Sequence, residues 1–152
     1  MSTRVWFAAR VTLTVVVLAG LALDAYVHID LASTYDGVKS SVLSQGDLFR
    51  TEAALATLAA VALLVRPRRY TALFALVVTA GGVGAVLIYE YVDVGAFGPL
   101  PNMYEPVWYP EKIQSAWGEG IAAVAALVLL IVIQLQTHRR TGTPDHPGQG
   151  LV

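Results

Sequence analysis

Six ionisable residues sit inside or at the ends of long apolar stretches of this chain: Asp24, His28, Glu52, Glu90, Asp93 and Glu119. Asp24 and His28 are four apart, which puts both on one face of a helix. An aspartate and a histidine so spaced, joined by carboxylates from neighbouring helices, match in kind the ligand sets of metal sites built inside helix bundles. The predicted ligand set is Asp24, His28, Glu52 and Glu90. One nitrogen with several oxygens suits zinc, copper(II), iron or manganese, so a divalent metal is the cofactor these residue types point to.

The same acids fit two further roles. Glu90, Asp93 and Glu119 could mark helix ends in a headgroup layer. Glu52 and Glu119 fall in first helical turns, where a carboxylate complements the helix dipole and caps free amides. The whole set could also form a polar pocket that recognises a cationic or polar small molecule. Counting at 1.5 Å per residue from the arginine expected at the inner end of each segment (Arg10, Arg66, Arg69 and Arg139) puts Asp24 and Glu52 about 21 Å away, His28 about 27 Å, and Glu90 and Glu119 about 30 Å. A charge at membrane depth costs about 2.5–3.5 kcal/mol on insertion scales, so it normally faces a bundle interior or cavity.

Other chemistries lack their residues. With no cysteine there is no disulfide, thiolate metal site or cysteine nucleophile. One histidine among the long apolar segments cannot supply paired axial ligands to a haem. Ser33, Ser40, Ser41 and Ser44 offer hydroxyls, but nothing singles one out for a hydrolase triad. Seven of the eight arginines are split over three short segments, a topology signal rather than a nucleic-acid footprint, so no nucleic-acid partner is expected. His138 and His146 lie toward the polar C-terminal end and read as bystanders.

The elements that must position the candidates are long and apolar. Of 152 residues, 56% are hydrophobic and 14% charged, with a mean hydropathy of +0.61; soluble domains carry about 25% charged residues. Four segments, at about 5–27, 49–65, 70–92 and 116–135, hold enough residues to cross a ~30 Å hydrocarbon core as helices. Strands would need alternating segments of about 10 residues, which are absent. The expected fold is an all-α, four-helix transmembrane bundle of one domain, residues 1–140. A tail at 141–152, rich in glycine and proline, is expected to be disordered and cytoplasmic.

Orientation follows from the basic residues. Arg4, Arg10, Arg66, Arg68, Arg69, Arg139 and Arg140 lie on one side and Lys39, Arg50 and Lys112 on the other, seven against three. The positive-inside rule makes both termini cytoplasmic and leaves two outer loops. Ten of the eleven acids fall on the outer side, Asp145 being the exception. Arg4 and Arg10 followed by the apolar run 11–23 also have the form of a secretory signal peptide, but no good cleavage site follows, so a retained helix is expected. The location expected is a bacterial plasma membrane.

The first outer loop is predicted to hold a short amphipathic helix around 31–43. The second carries four prolines between Gly95 and Glu111, which stiffen it. Its Tyr104, Trp108 and Tyr109 suit either an interfacial aromatic belt or a lid over an outward-facing pocket. In the third segment, Gly81, Gly82 and Gly84 create small-xxx-small spacing. That contact lies either inside the bundle or, through Gly81 and Gly84, in a homo-oligomer or larger membrane complex; the bilayer is the other partner.

Residues 91–112, YVDVGAFGPLPNMYEPVWYPEK, resemble small four-helix membrane proteins of high-GC actinobacteria, and the excess of arginine over lysine, eight to two, agrees. In length and helix number the chain is similar to the DoxX-like superfamily, some of whose members accompany membrane oxidoreductases; no functional motif of that group maps onto these residues. The function expected is an accessory or ligand-binding membrane component with an acidic pocket at its outer end, rather than a free-standing enzyme. The alternatives are a membrane metalloprotein or oxidoreductase using Asp24, His28, Glu52 and Glu90, and a small proton- or cation-coupled transporter.

Overall fold

The computed structural model describes residues 3–141; the tail beyond them, with His146, lies outside the described residues. Within them the chain is all-helical: α1 (Thr3–Ala32), a single 3-10 turn (Thr34–Gly37), α2 (Gln45–Val65), α3 (Arg69–Tyr91) and α4 (Pro110–Thr141). Stretches of 29, 21, 23 and 28 residues in these four helices are long and apolar enough to cross a membrane. Exposed apolar side chains such as Phe7, Val15, Leu58, Leu64, Val77 and Val124 cover the outside of the bundle. Such a surface suits lipid contact better than water.

Helix α1 runs past its expected range at both ends, as does α4, and α2 and α3 start early; three of these ends have a clear local reason. α1 runs on to Ala32 because Val27, His28 and Ala32 continue its buried face and no glycine or proline intervenes between Gly20 and Gly37. α2 begins at Gln45, where Ser44 accepts from the Asp47 N–H and Asp47 accepts in return from the Ser44 N–H; this reciprocal box satisfies two otherwise free donors. α4 begins at Pro110, since proline at a first helical position gives up an N–H that the helix start does not use. The amphipathic helix expected around 31–43 does not form. Only the turn Thr34–Gly37 is helical there, because α1 takes the residues before it and the Asp36 carboxylate is pulled away to Arg50, at 2.7 and 2.9 Å. That guanidinium holds the Asp36 carboxyl below the usual carboxylate range.

α1 packs between α2 and α4, and α3 closes the ring against α4 and, more sparsely, α2. The tight connection of α2 to α3 through 66–68 marks the turn end of the bundle. There Arg10 donates to the Gln136 side chain at 3.1 Å and to the Pro67 carbonyl at 3.0 Å, joining α1, α4 and the turn. From mid-bundle toward this end the core is apolar and rich in small residues, with Val17, Leu21, Ala59, Leu63, Ala75 and Leu129 among its members. Helices approach closely at two glycines: a Cβ on Gly20 of α1 would stand 2.5 Å from the Ala122 Cβ of α4, and one on Gly46 of α2 would stand closer still to the Ala32 carbonyl oxygen of α1. Gly81 and Gly84 of α3 would meet nothing within 4 Å, so the predicted small-residue contact is not made within the chain at those two positions. Gly82, between them, faces inward.

The opposite, loop end is covered by residues 92–109. Phe97 and Leu100 exchange backbone hydrogen bonds of 3.1 and 3.0 Å across a tight turn, for which Gly98 takes φ +57°. Three contacts pin this loop down: the Glu105 N–H to the Tyr89 carbonyl at 3.0 Å, Ser40 Oγ to the Pro99 carbonyl at 2.7 Å, and Tyr35 Oη to Glu105 at 2.9 Å.

Candidate functional site

The loop end gathers the polar residues of the bundle interior. Asp24 is fully buried and His28 is 8% exposed, one turn apart on α1. His28 Nδ1 lies 3.0 Å from the Asp24 carbonyl oxygen and 2.6 Å from Asp24 Oδ1. Both are acceptors, so in the neutral ring the proton sits on Nδ1. The edge-on ring of Phe49, 5.1 Å away between centroids, fixes the imidazole from α2.

Glu119 of α4 is also fully buried. Ser115, one turn earlier, donates to Glu119 Oε1 at 2.6 Å. Gly82 of α3 leaves room for the other oxygen, since a Cβ there would stand 2.6 Å from Glu119 Oε2. Asp24, His28 and Glu119 each present one potential ligand atom, all within 4.8 Å of one another. Glu52 on α2 is half-buried, and the four groups lie within electrostatic reach of each other. Both carboxylate oxygens of Asp24, Oε1 of Glu52 and Oε2 of Glu119 are buried without an aligned hydrogen-bond partner among the described residues. Each such atom costs about 1–3 kcal/mol, and more when charged.

The structure therefore groups the candidates differently from the expected ligand set. Glu119 joins Asp24 and His28, Glu52 adjoins them, and Glu90 stands apart. Glu90 is buried against Lys112, with Nζ to Oε2 at 2.6 Å. Asp93 is exposed and serves the loop, accepting from the Gly95 N–H at 3.1 Å. The depth count misplaced Glu119 because α4 is 32 residues long and extends past the apolar run at both ends. The contact of Gly20 with Gly118 and Ala122 sets the register of α1 on α4 and brings Glu119 to Asp24.

Lys112 is a buried polar side chain of this end that the sequence reading treats only as an outer-side basic residue. It is buried, donates to the Glu105 carbonyl at 2.5 Å, and lies 5.7 and 5.8 Å from the ring centres of Trp108 and Tyr109. A lysine inside a run of prolines and aromatics was the available signal.

Beside the cluster, between α2 and α3, is a cavity of about 390 Å³. Val27, Leu31, Phe49 and Val86 are among its apolar walls; His28, Gln45, Glu52, Ser115, Lys112 and Glu105 bring polar groups to it. Its exposed lining residues, Thr51 on α2 and Gly81 and Ala85 on α3, flank the α2–α3 seam, so the cavity opens there. Leu100, Met103, Glu105 and Tyr109 of the loop cover it. Of the three aromatics expected as a lid, Tyr109 takes this position. Tyr104 is exposed, and Trp108 lines a separate apolar groove with Leu87, Trp117 and Val124. Tyr35 Oη lies 2.8 Å from Tyr109 Oη and 2.9 Å from Glu105 Oε1, so Tyr35 donates to the carboxylate and accepts from Tyr109. Burial raises the pKa of both phenols, reinforced at Tyr109 by its hydrogen bond with Tyr35, which keeps the pair neutral.

No protein-family model, curated protein or solved structure matches the chain. The functional reading therefore stands on the cavity and the buried cluster themselves.

Proposed function

We propose that the chain is a multi-pass plasma-membrane protein of a bacterium, with both termini cytoplasmic, and that its acid-rich outer end binds a small amphiphilic molecule as an accessory component of a membrane system. The observation that carries this reading is the cavity of about 390 Å³ at the loop end. Its volume falls in the ~300–1,000 Å³ range of small-molecule sites, and its mostly apolar walls with a few convergent polar groups fit the same class. Lys112 and Glu105 already hold partners within the chain. Glu52 does not: its buried Oε1 is the free acceptor on the wall. The ligand class is accordingly an apolar body bearing a cationic or hydrogen-bond-donating head. The α2–α3 seam provides a route from the surrounding lipid.

Gly84 of α3 leaves space for a partner helix, and Gly81 beside it borders the cavity mouth; a second copy or a larger complex would pack on this face. Kinship with DoxX-like proteins belongs to the same proposal and rests on length and helix number. The transport reading gains no support from the core, which is apolar from mid-bundle to the turn end.

Native mass spectrometry of the full chain released from lipid nanodiscs tests the reading, with Ala85→Trp filling the cavity mouth. A bound small molecule in near-stoichiometric amount on the wild type, absent from Ala85→Trp, is expected. Equal adducts on both proteins, or none on either, would rule out an amphiphile site in this cavity.

A further inference from the structure

Asp24 and Glu119 are both 0% exposed, yet three of their four carboxylate oxygens lack an aligned hydrogen-bond partner among the described residues. The 2.6 Å approach of His28 Nδ1 to Asp24 Oδ1 lacks hydrogen-bond alignment. No arginine or lysine among the described residues lies within ion-pair distance of Asp24, Glu52 or Glu119; of those near the loop end, Lys112 pairs with Glu90, Arg50 pairs with Asp36, and Lys39 is exposed in the first loop. Buried carboxylates with more acceptor oxygens than donors, and with His28 as the one basic side chain beside them among the described residues, are what an ion site leaves when its ligands alone are considered.

We propose that Asp24, His28 and Glu119 bind one divalent first-row transition-metal ion. Their candidate ligand atoms all lie within 4.8 Å of one another. Ligands on a common ion with bonds of about 2.1 Å are at most about 4.2 Å apart, so small side-chain rotations close the set. The contacts behind the ligands are those a metal centre needs to orient its first shell. Ser115 holds one oxygen of Glu119 and frees the other, Gly82 makes room for that oxygen, and Phe49 holds the imidazole edge-on. One nitrogen and two carboxylates favour such an ion over calcium, which takes six to eight oxygens, and over magnesium, which keeps its waters. Glu52, on the cavity wall, is the nearest source of a fourth ligand. The site shares a wall with the cavity and does not require an amphiphile to be bound there.

The test uses the full chain in detergent, stripped with chelator and dialysed against Zn2+ in excess Mg2+, with metal measured by elemental analysis. About one zinc per chain is expected, with affinity at least about tenfold weaker in Asp24→Asn and in Glu119→Gln and unchanged in Asp93→Asn. A second readout needs neither acidic variant to fold. In a His138→Gln/His146→Gln background His28 is the last of the three histidines, and bound Cu2+ examined by pulsed electron paramagnetic resonance should show nitrogen coupling from one imidazole. No retained metal, retained metal without that coupling, or undiminished affinity in both acidic variants would overturn the assignment. Metal without any bound amphiphile upholds this site and defeats the amphiphile reading, whereas an amphiphile without metal does the reverse.

Discussion

An ammonium group held away from water needs a counter-charge and acceptors for its N–H bonds, and Lys112 has both, in Glu90 and in the carbonyls of Glu105 and Val107. Removing one partner of such a buried pair strands the other charge, at a cost of about 3–5 kcal/mol. Thermal unfolding in detergent should therefore show Lys112→Met losing stability on that scale, with Glu90→Leu added to it restoring most of the loss; additive losses in the double variant would mean the pair is not coupled. This pair was not legible beforehand because its members lie 22 residues apart across a loop whose path no periodicity encodes. Asp24 and His28 were legible because the four-residue spacing is local. Glu119 was legible as a polar-pocket candidate but not as their neighbour, since that depends on how two helices register.

At the scale of elements, apolar runs identify the four helices but not their ends. α1 and α4 continue as helices beyond the apolar runs, through residues such as Asp30 and Lys112 that a hydropathy reading treats as loop. Helix pairing was also misjudged. Of the glycines of α3, whose spacing stands out, only Gly82 meets a neighbour, the Glu119 side chain, whereas backbone-close contacts are made by Gly20 against Gly118 and Ala122 and by Gly46 against Ala32, matches that appear only once the helices are paired. Gly20→Ala, whose Cβ would stand 2.5 Å from the Ala122 Cβ, should cost about 1–3 kcal/mol by overpacking. Gly84→Ala meets open space and should leave monomer stability unchanged or raise it by up to about 1 kcal/mol. Denaturant titration of the two variants in detergent checks this; a loss in Gly84→Ala equal to that in Gly20→Ala would contradict the packing described.

At the scale of the whole molecule, polarity is divided along the bundle axis. The turn end has an apolar core and arginines at its margin, with Arg10 joining α1, α4 and the turn. The loop end holds the buried acids, the cavity and the loop that covers it. The acids do not set topology, and the proposed site would account for their concentration at one end. The proposed function requires that this end face out of the cell, the side that the positive-inside rule predicts for it. The absence of cysteine makes the measurement direct: single cysteines Ser41→Cys, in the first outer loop, and Arg68→Cys, in the turn, labelled on intact cells with a membrane-impermeant maleimide. Labelling of the Ser41→Cys protein in intact cells, with Arg68→Cys labelled only after permeabilisation, is the result expected. The opposite pattern would put the acids, the cavity and the proposed metal site on the cytoplasmic side and contradict an outward-facing binding protein.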